Sequence, residues 1–107
     1  MATITAGSGI LTFISVLTVD PDRSQELIDL LVRTTEDVTS RHPGHLSTSL
    51  HLSADHTKVT NYAQWRSRSD FDAMLDDPDA QEHMQAIGRL ATPAAAHYEV
   101  VWTFPPE

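Results

Sequence analysis

Asn61 and Trp65 are the residues whose types and spacing point most directly to chemistry. They lie in Lys58-Val59-Thr60-Asn61-Tyr62-Ala63-Gln64-Trp65, dense in Val, Thr, Tyr and Trp and free of Gly and Pro, which predicts a strand. Alternation puts Val59, Asn61, Ala63 and Trp65 on one face. That face pairs an amide with an indole across one small residue, and Asn is depleted in strand interiors, so Asn61 needs a reason to be there. A cavity above the strand would supply one. Phe71, Met74 and Met84 can reach it from a broken helix, and His51 from a neighbouring strand. Apolar walls with a few polar groups suit a flat aromatic ligand. Residue type alone leaves other readings open. A strand Trp is ordinarily core, Asn61 can bind a neighbouring loop, His51 can face solvent or an interface, and Phe71, Met74 and Met84 have the spacing of plain core residues.

The elements that must position these residues follow from the pattern. Ile10–Val19 carries Leu11, Phe13, Leu17 and Val19 on one face and Ile10, Ile14 and Val16 on the other, so both faces require cover. Asp20-Pro21 predicts an N-cap with Pro at the first helical position. The helix should run from Asp22 to about Ser40, with Leu27, Ile28, Leu31, Val32, Thr35 and Val38 as its apolar stripe. Arg41-His42-Pro43-Gly44 ends it. His45–Leu52 alternates Leu46, Leu50 and Leu52 against Ser47, Ser49 and His51, and the turn-rich Ser53–Thr57 makes a hairpin with the Asn61 strand. Ser67 begins a short helix with Phe71, Met74 and Leu75 inward. Asp77-Pro78 restarts a second piece, to about Leu90, with Met84, Ile87 and Leu90 inward. Ala91–Ala95 reads as a break, and His97–Phe104 as the last strand.

The order β-α-β-β-α-β predicts an α+β, ferredoxin-like domain: a four-stranded antiparallel sheet with helices on one face. The other face would be bare in a monomer, although the first strand is apolar on both faces. Each large apolar side chain left in water forgoes ~1.5–3 kcal/mol. A second copy packed sheet to sheet repairs this, so an isologous homodimer, a dimeric α/β barrel, is expected.

Composition narrows the classes. The 107 residues suit one domain, with residues 1–9 expected as a flexible tail and 10–107 as the domain. The start has neither a basic residue nor an apolar core of the kind a signal peptide carries. The absence of cysteine excludes disulfides, thiolate metal sites, iron–sulfur clusters and thiol nucleophiles, and leaves the cytoplasm as the expected location. A net charge of −8 argues against nucleic acid and anionic lipid as partners. No apolar run approaches the ~20 residues needed to span a bilayer. The histidines, at positions 42, 45, 51, 56, 83 and 97, include no i,i+4 helical pair, and the acidic cluster Asp70–Glu82 lacks EF-hand spacing, so no metal site is expected. Neither a Gly-rich phosphate loop nor a nucleophile elbow is present.

The segment Val59-Thr60-Asn61-Tyr62-Ala63-Gln64-Trp65-Arg66-Ser67, followed by Phe71, resembles the core signature of the antibiotic biosynthesis monooxygenase family. His42-Pro43-Gly44-His45-Leu46-Ser47-Thr48-Ser49-Leu50-His51 is similar to that family's helix-end turn and second strand. The likeness extends from about Ile10 to Phe104 and is strongest to the small anthrone oxygenases of aromatic polyketide pathways. It implies a ferredoxin-like homodimer that oxidises a polycyclic, anthrone-type substrate to a quinone with O2 and no flavin, haem or metal. It also implies catalytic roles for Asn61, Trp65 and His51. Asn61 and the Trp65 N–H would donate to an enolate oxygen, and His51 would take the proton. Phe71 stands where the family commonly has Tyr, so no phenol is available there. Two other activities share the fold. A non-oxidative polyketide cyclase or small-molecule binding protein is one. A haem-degrading monooxygenase is the other, but the first strand lacks the Asn it needs, Met74 stands near its Trp position, and His83 would have to serve as iron ligand with a one-residue slip.

Overall fold

Leu11–Val19 forms β1, and its place inside the sheet explains the demand for cover on both faces. The strand pairs antiparallel with β3 (Lys58–Trp65) on one side and with β4 (Ala91–Tyr98) on the other. β2 (His45–Leu52) pairs antiparallel with β3 and closes the order β2-β3-β1-β4, the expected ferredoxin-like arrangement. The computed structural model describes residues 3–106.

Asp20 caps the first helical segment by accepting from the Asp22 N–H, with Pro21 at its first position. A 3-10 turn over Pro21–Arg23 leads into α1 (Ser24–Asp37), and a second 3-10 turn over Thr39–Arg41 follows. Leu27, Leu31 and Val38 are buried, whereas Val32, expected in the apolar stripe, is 39% exposed. The second helical region is two pieces, α2 (Arg68–Leu75) and α3 (Pro78–Leu90). Ser67 caps α2 by accepting from the Asp70 N–H, and Asp77 caps α3 by accepting from the Asp79 N–H. The chain breaks between them because each cap side chain, with Pro78 at the start of α3, fixes a separate beginning.

β4 differs from expectation. It occupies Ala91–Tyr98 rather than His97–Phe104. Pro93 sits within it, opposite Leu17. As an edge strand β4 has a partner on one side only, and a Pro whose missing N–H belongs to the free side removes no ladder bond. The apolar Val101, Trp102 and Phe104 lie beyond it and are exposed.

The register sorts the side chains. Leu17, Val19 and Val59 join Leu27, Leu31 and Ala91 in one buried cluster, with Leu50 packed against it. Ala63 and Trp65 join Val38, Phe71, Met74 and Ala80 in a second. Leu50 and Leu52 stand opposite Asn61 and Val59, on the helix side, and the outer face carries Ile14, Val16 and Tyr62.

Candidate active site

Between the two apolar clusters runs a cross-strand row of Ala95, Ser15 and Asn61, ending on Leu50, which packs against the first cluster. A small residue, a hydroxyl and an amide in one row cannot complete a hydrocarbon core. A cavity of about 380 Å3 opens above them, beneath α1, α2 and α3. Asn61, Trp65, Phe71, Met74 and Met84 all line it, so five of the six residues expected at a site share one cavity. Met84 lines the cavity and is 39% exposed.

Trp65 is buried and meets Phe71 edge-on, ring centroids 5.5 Å apart at 89°. Phe71 also packs on Phe13 at 4.9 Å. These contacts fix the indole and leave the wall aromatic. Asn61 lies two residues before Ala63 on the same face, and its Oδ1 is buried without a hydrogen-bond partner. A buried acceptor with no partner is rare in a folded chain and marks a place prepared for something else.

His51 does not join them. It stands opposite Thr60 on the outer face, exposed, with Nε2 3.1 Å from Ser49 Oγ. Because Leu50 is the residue opposite Asn61, the next residue must point the other way. His83 is held between helices, Nδ1 2.7 Å from Thr34 Oγ1, and does not line the cavity. Among the described residues no group of His, Asp and Glu is arranged to hold a metal ion.

Several lining residues were not legible as such. Ser15 sits directly opposite Asn61, and Thr34, Thr35, Thr39 and Thr48 add hydroxyls to the walls. Their signal was a polar residue on a face otherwise apolar, as with Ser15 between Phe13 and Leu17. His97 packs against Phe13 and Phe71, centroids 5.4 and 4.7 Å away, with Nδ1 buried and unpartnered. Burial, with a smaller effect from Arg68, holds its pKa below the usual histidine range, and Asp72 opposes this. His45 meets Trp65 edge-on at 5.3 Å and 71°, and its Nε2 is 2.7 Å from Thr48 Oγ1. Burial likewise lowers the His45 pKa, against the effect of a backbone hydrogen bond at Ser47.

Comparison with known proteins adds to this geometry. Residues 10–86 match the family described as antibiotic biosynthesis monooxygenase. The tetracenomycin-F1 monooxygenase of Streptomyces glaucescens is 41% identical over 104 residues, 97% of this chain and 93% of that protein. SnoaB of Streptomyces nogalater, a cofactor-independent oxygenase, has a similar structure: TM-score 0.82 at 25% identity, over 92% of this chain and 99% of that one. The ActVA-Orf6 monooxygenase of Streptomyces coelicolor, solved with nanaomycin D, gives a TM-score of 0.80 at 27% identity, over 91% of this chain and 92% of that one.

Proposed function

The chain belongs to the antibiotic biosynthesis monooxygenase family and is a monooxygenase, and from that premise we propose that it oxidises an anthrone-type polycyclic aromatic polyketide to a quinone with O2 and no cofactor. The observation that carries this reading is Asn61, whose buried Oδ1 is unpartnered beside Trp65 in an aromatic-walled cavity. Relatives named for tetracenomycin F1 and solved with nanaomycin D support a fused-ring substrate.

The chemistry balances without a metal. The methylene across the central ring from the substrate carbonyl loses a proton, and the charge delocalises through the fused rings to the oxygen, giving an electron-rich anion. One electron passes to O2, and recombination of the two radicals forms a carbon–oxygen bond and a peroxide anion. Protonation and loss of water leave the new carbonyl: CH2 plus O2 gives C=O plus H2O. Asn61 Nδ2–H and the Trp65 N–H stabilise the anion's oxygen, Asn61 Oδ1 is left to accept from a substrate hydroxyl, and the apolar walls exclude bulk water. Phe71, Met74 and Met84 hold the flat rings.

Oxygen-electrode measurement with emodin anthrone tests the reading. One O2 should be consumed per anthrone, with quinone absorbance appearing at the same rate. Tight binding with no O2 uptake would overturn it in favour of a cyclase or binding protein. The protein is further proposed to act as a homodimer joined through its outer sheet face.

A further inference from the structure

The proposed reaction needs a group to take the substrate's proton, and His51 lies on the wrong face of the sheet to do so. We propose that Thr48 and His45 form that proton relay, an inference that rests on the oxygenase reading above.

The placement comes from an irregularity in β2. His45 stands opposite Trp65 and Thr48 opposite Ala63, three residues facing a span of two, with the shift between His45 and Ser47. In a regular strand residues three apart point to opposite faces. The bulge brings both onto the cavity side, a common use of bulges beside active sites.

Thr48 lines the cavity. Its neighbour across the sheet is Ala63, the small residue between Asn61 and Trp65. The hydroxyl, the amide and the indole therefore border the same stretch of cavity floor, where a substrate with its oxygen held by a donor presents the methylene on the far side of its central ring to a third group. Behind Thr48 and set back from the cavity wall, His45 Nε2 lies 2.7 Å from the hydroxyl. Of the other histidines near the cavity, His97 has no lining hydroxyl attached and is faced by Phe13 and Phe71, and His83 Nδ1 lies 2.7 Å from Thr34 Oγ1, whose hydroxyl donates instead to the Leu30 carbonyl.

The transfer conserves protons. Thr48 Oγ1 receives the substrate's proton as its own passes to a neutral His45 at Nε2, giving the substrate anion and an imidazolium. The imidazolium returns the proton along the same path to the peroxide anion. Burial lowers the His45 pKa, against the effect of a backbone hydrogen bond at Ser47, and so favours the neutral ring that can accept a proton. The polar and charged side chains packed nearby are already engaged: Arg66 binds Asp70 through two hydrogen bonds beside Gly44, and His42 Nε2 lies 2.9 Å from Asp77 Oδ2.

Steady-state O2 uptake with emodin anthrone, measured across pH on wild type, Thr48→Val, Thr48→Ser and His45→Gln, tests the relay. Thr48→Val keeps the shape without the hydroxyl, and Gln keeps a hydrogen bond to Thr48 without taking a proton. Each should lower kcat by about a hundredfold near neutrality, with KM changed by less than about threefold. Thr48→Ser should retain most activity. The wild-type rate should fall as pH drops through the His45 pKa, and His45→Gln should lose that limb. At alkaline pH, where the anthrone is already ionised, all four rates should converge. A folded Thr48→Val enzyme with wild-type kcat, or a His45→Gln deficit equal at every pH, overturns the relay and leaves the oxygenase reading intact. Absence of O2 uptake by the wild type overturns both.

Discussion

Asn61 carries a cost as well as a role. A buried carbonyl oxygen without a partner destabilises a fold by about 1–3 kcal/mol, and Asn61 Oδ1 is such an atom. Asn61→Leu removes that atom at similar volume, so the variant should unfold at higher urea concentration while its O2 uptake falls at least about tenfold. A variant both less stable and fully active would show the amide to be a packing residue. Trp65→Phe makes the complementary test. It keeps a ring between His45 and Phe71 and removes only the indole N–H and the larger ring, so kcat should fall at least about tenfold with the fold preserved; an unchanged kcat would remove the indole from the mechanism. Asn61 and Trp65 were readable because alternation within one strand needs no partner. His51 was misplaced because facing across strands depends on register, and no rule of alternation says that Leu50, not His51, meets Asn61.

The elements show the same division between local and non-local information. Caps at Asp20, Ser67 and Asp77 lie beside the helices they begin, so the helices and the break above the cavity were legible. The β2 bulge and the strand through Pro93 were not, since both depend on which chain lies alongside. Gly44 shows how tightly the ends are packed. A Cβ there would overlap the Asp70 side chain, and the Gly44 carbonyl accepts from the Arg66 N–H at 2.7 Å, so the backbone cannot withdraw. Gly44→Ala should destabilise by about 1–3 kcal/mol, read as a lower urea midpoint. At the other end of the break, His42 Nε2 lies 2.9 Å from Asp77 Oδ2. That hydrogen bond, followed by the one from the Asp79 backbone, holds the Asp77 carboxyl below its usual pKa. A depressed carboxylate favours the fold above its unfolded pKa, near ~3.9, and that contribution is lost as pH falls through the folded value. Stability should therefore drop with acid below about pH 4, and Asp77→Asn, which retains a capping side chain, should drop less steeply. Equal slopes in urea titrations of the two proteins would remove Asp77 from this dependence.

At the scale of the molecule, charge separates the two sides of the sheet. The chain has 15 acidic residues and a net charge of −8, yet the outer face carries none of those acids. Its open rows are Ser49, Tyr62, Ile14 and Ala96, and His51, Thr60, Val16 and Ala94; in the row Ser47, Gln64, Thr12 and Tyr98, Gln64 and Thr12 are buried and Gln64 donates to the Thr3 carbonyl of the same chain. An acidic protein that leaves one broad face free of acid, with Ile14, Val16 and Tyr62 at its centre, has a surface on which two copies can meet without the repulsion their other sides would impose. The exposed Val101, Trp102 and Phe104 extend the apolar area beyond β4. This is the basis for proposing the homodimer, and it gives His51 a place near the seam between subunits instead of in the cavity. Val16→Glu tests the arrangement at the middle of β1. Two copies would place the new carboxylates against apolar partners across a two-fold axis, and a buried unpaired charge costs several kcal/mol. The variant should elute from size exclusion as a monomer, with light scattering giving half the wild-type mass, and should bind anthrone more weakly if the sheet needs its partner to stay flat beneath the cavity. A wild-type protein that is monomeric at micromolar concentration, or a Val16→Glu protein that remains dimeric, would overturn the sheet-to-sheet assembly.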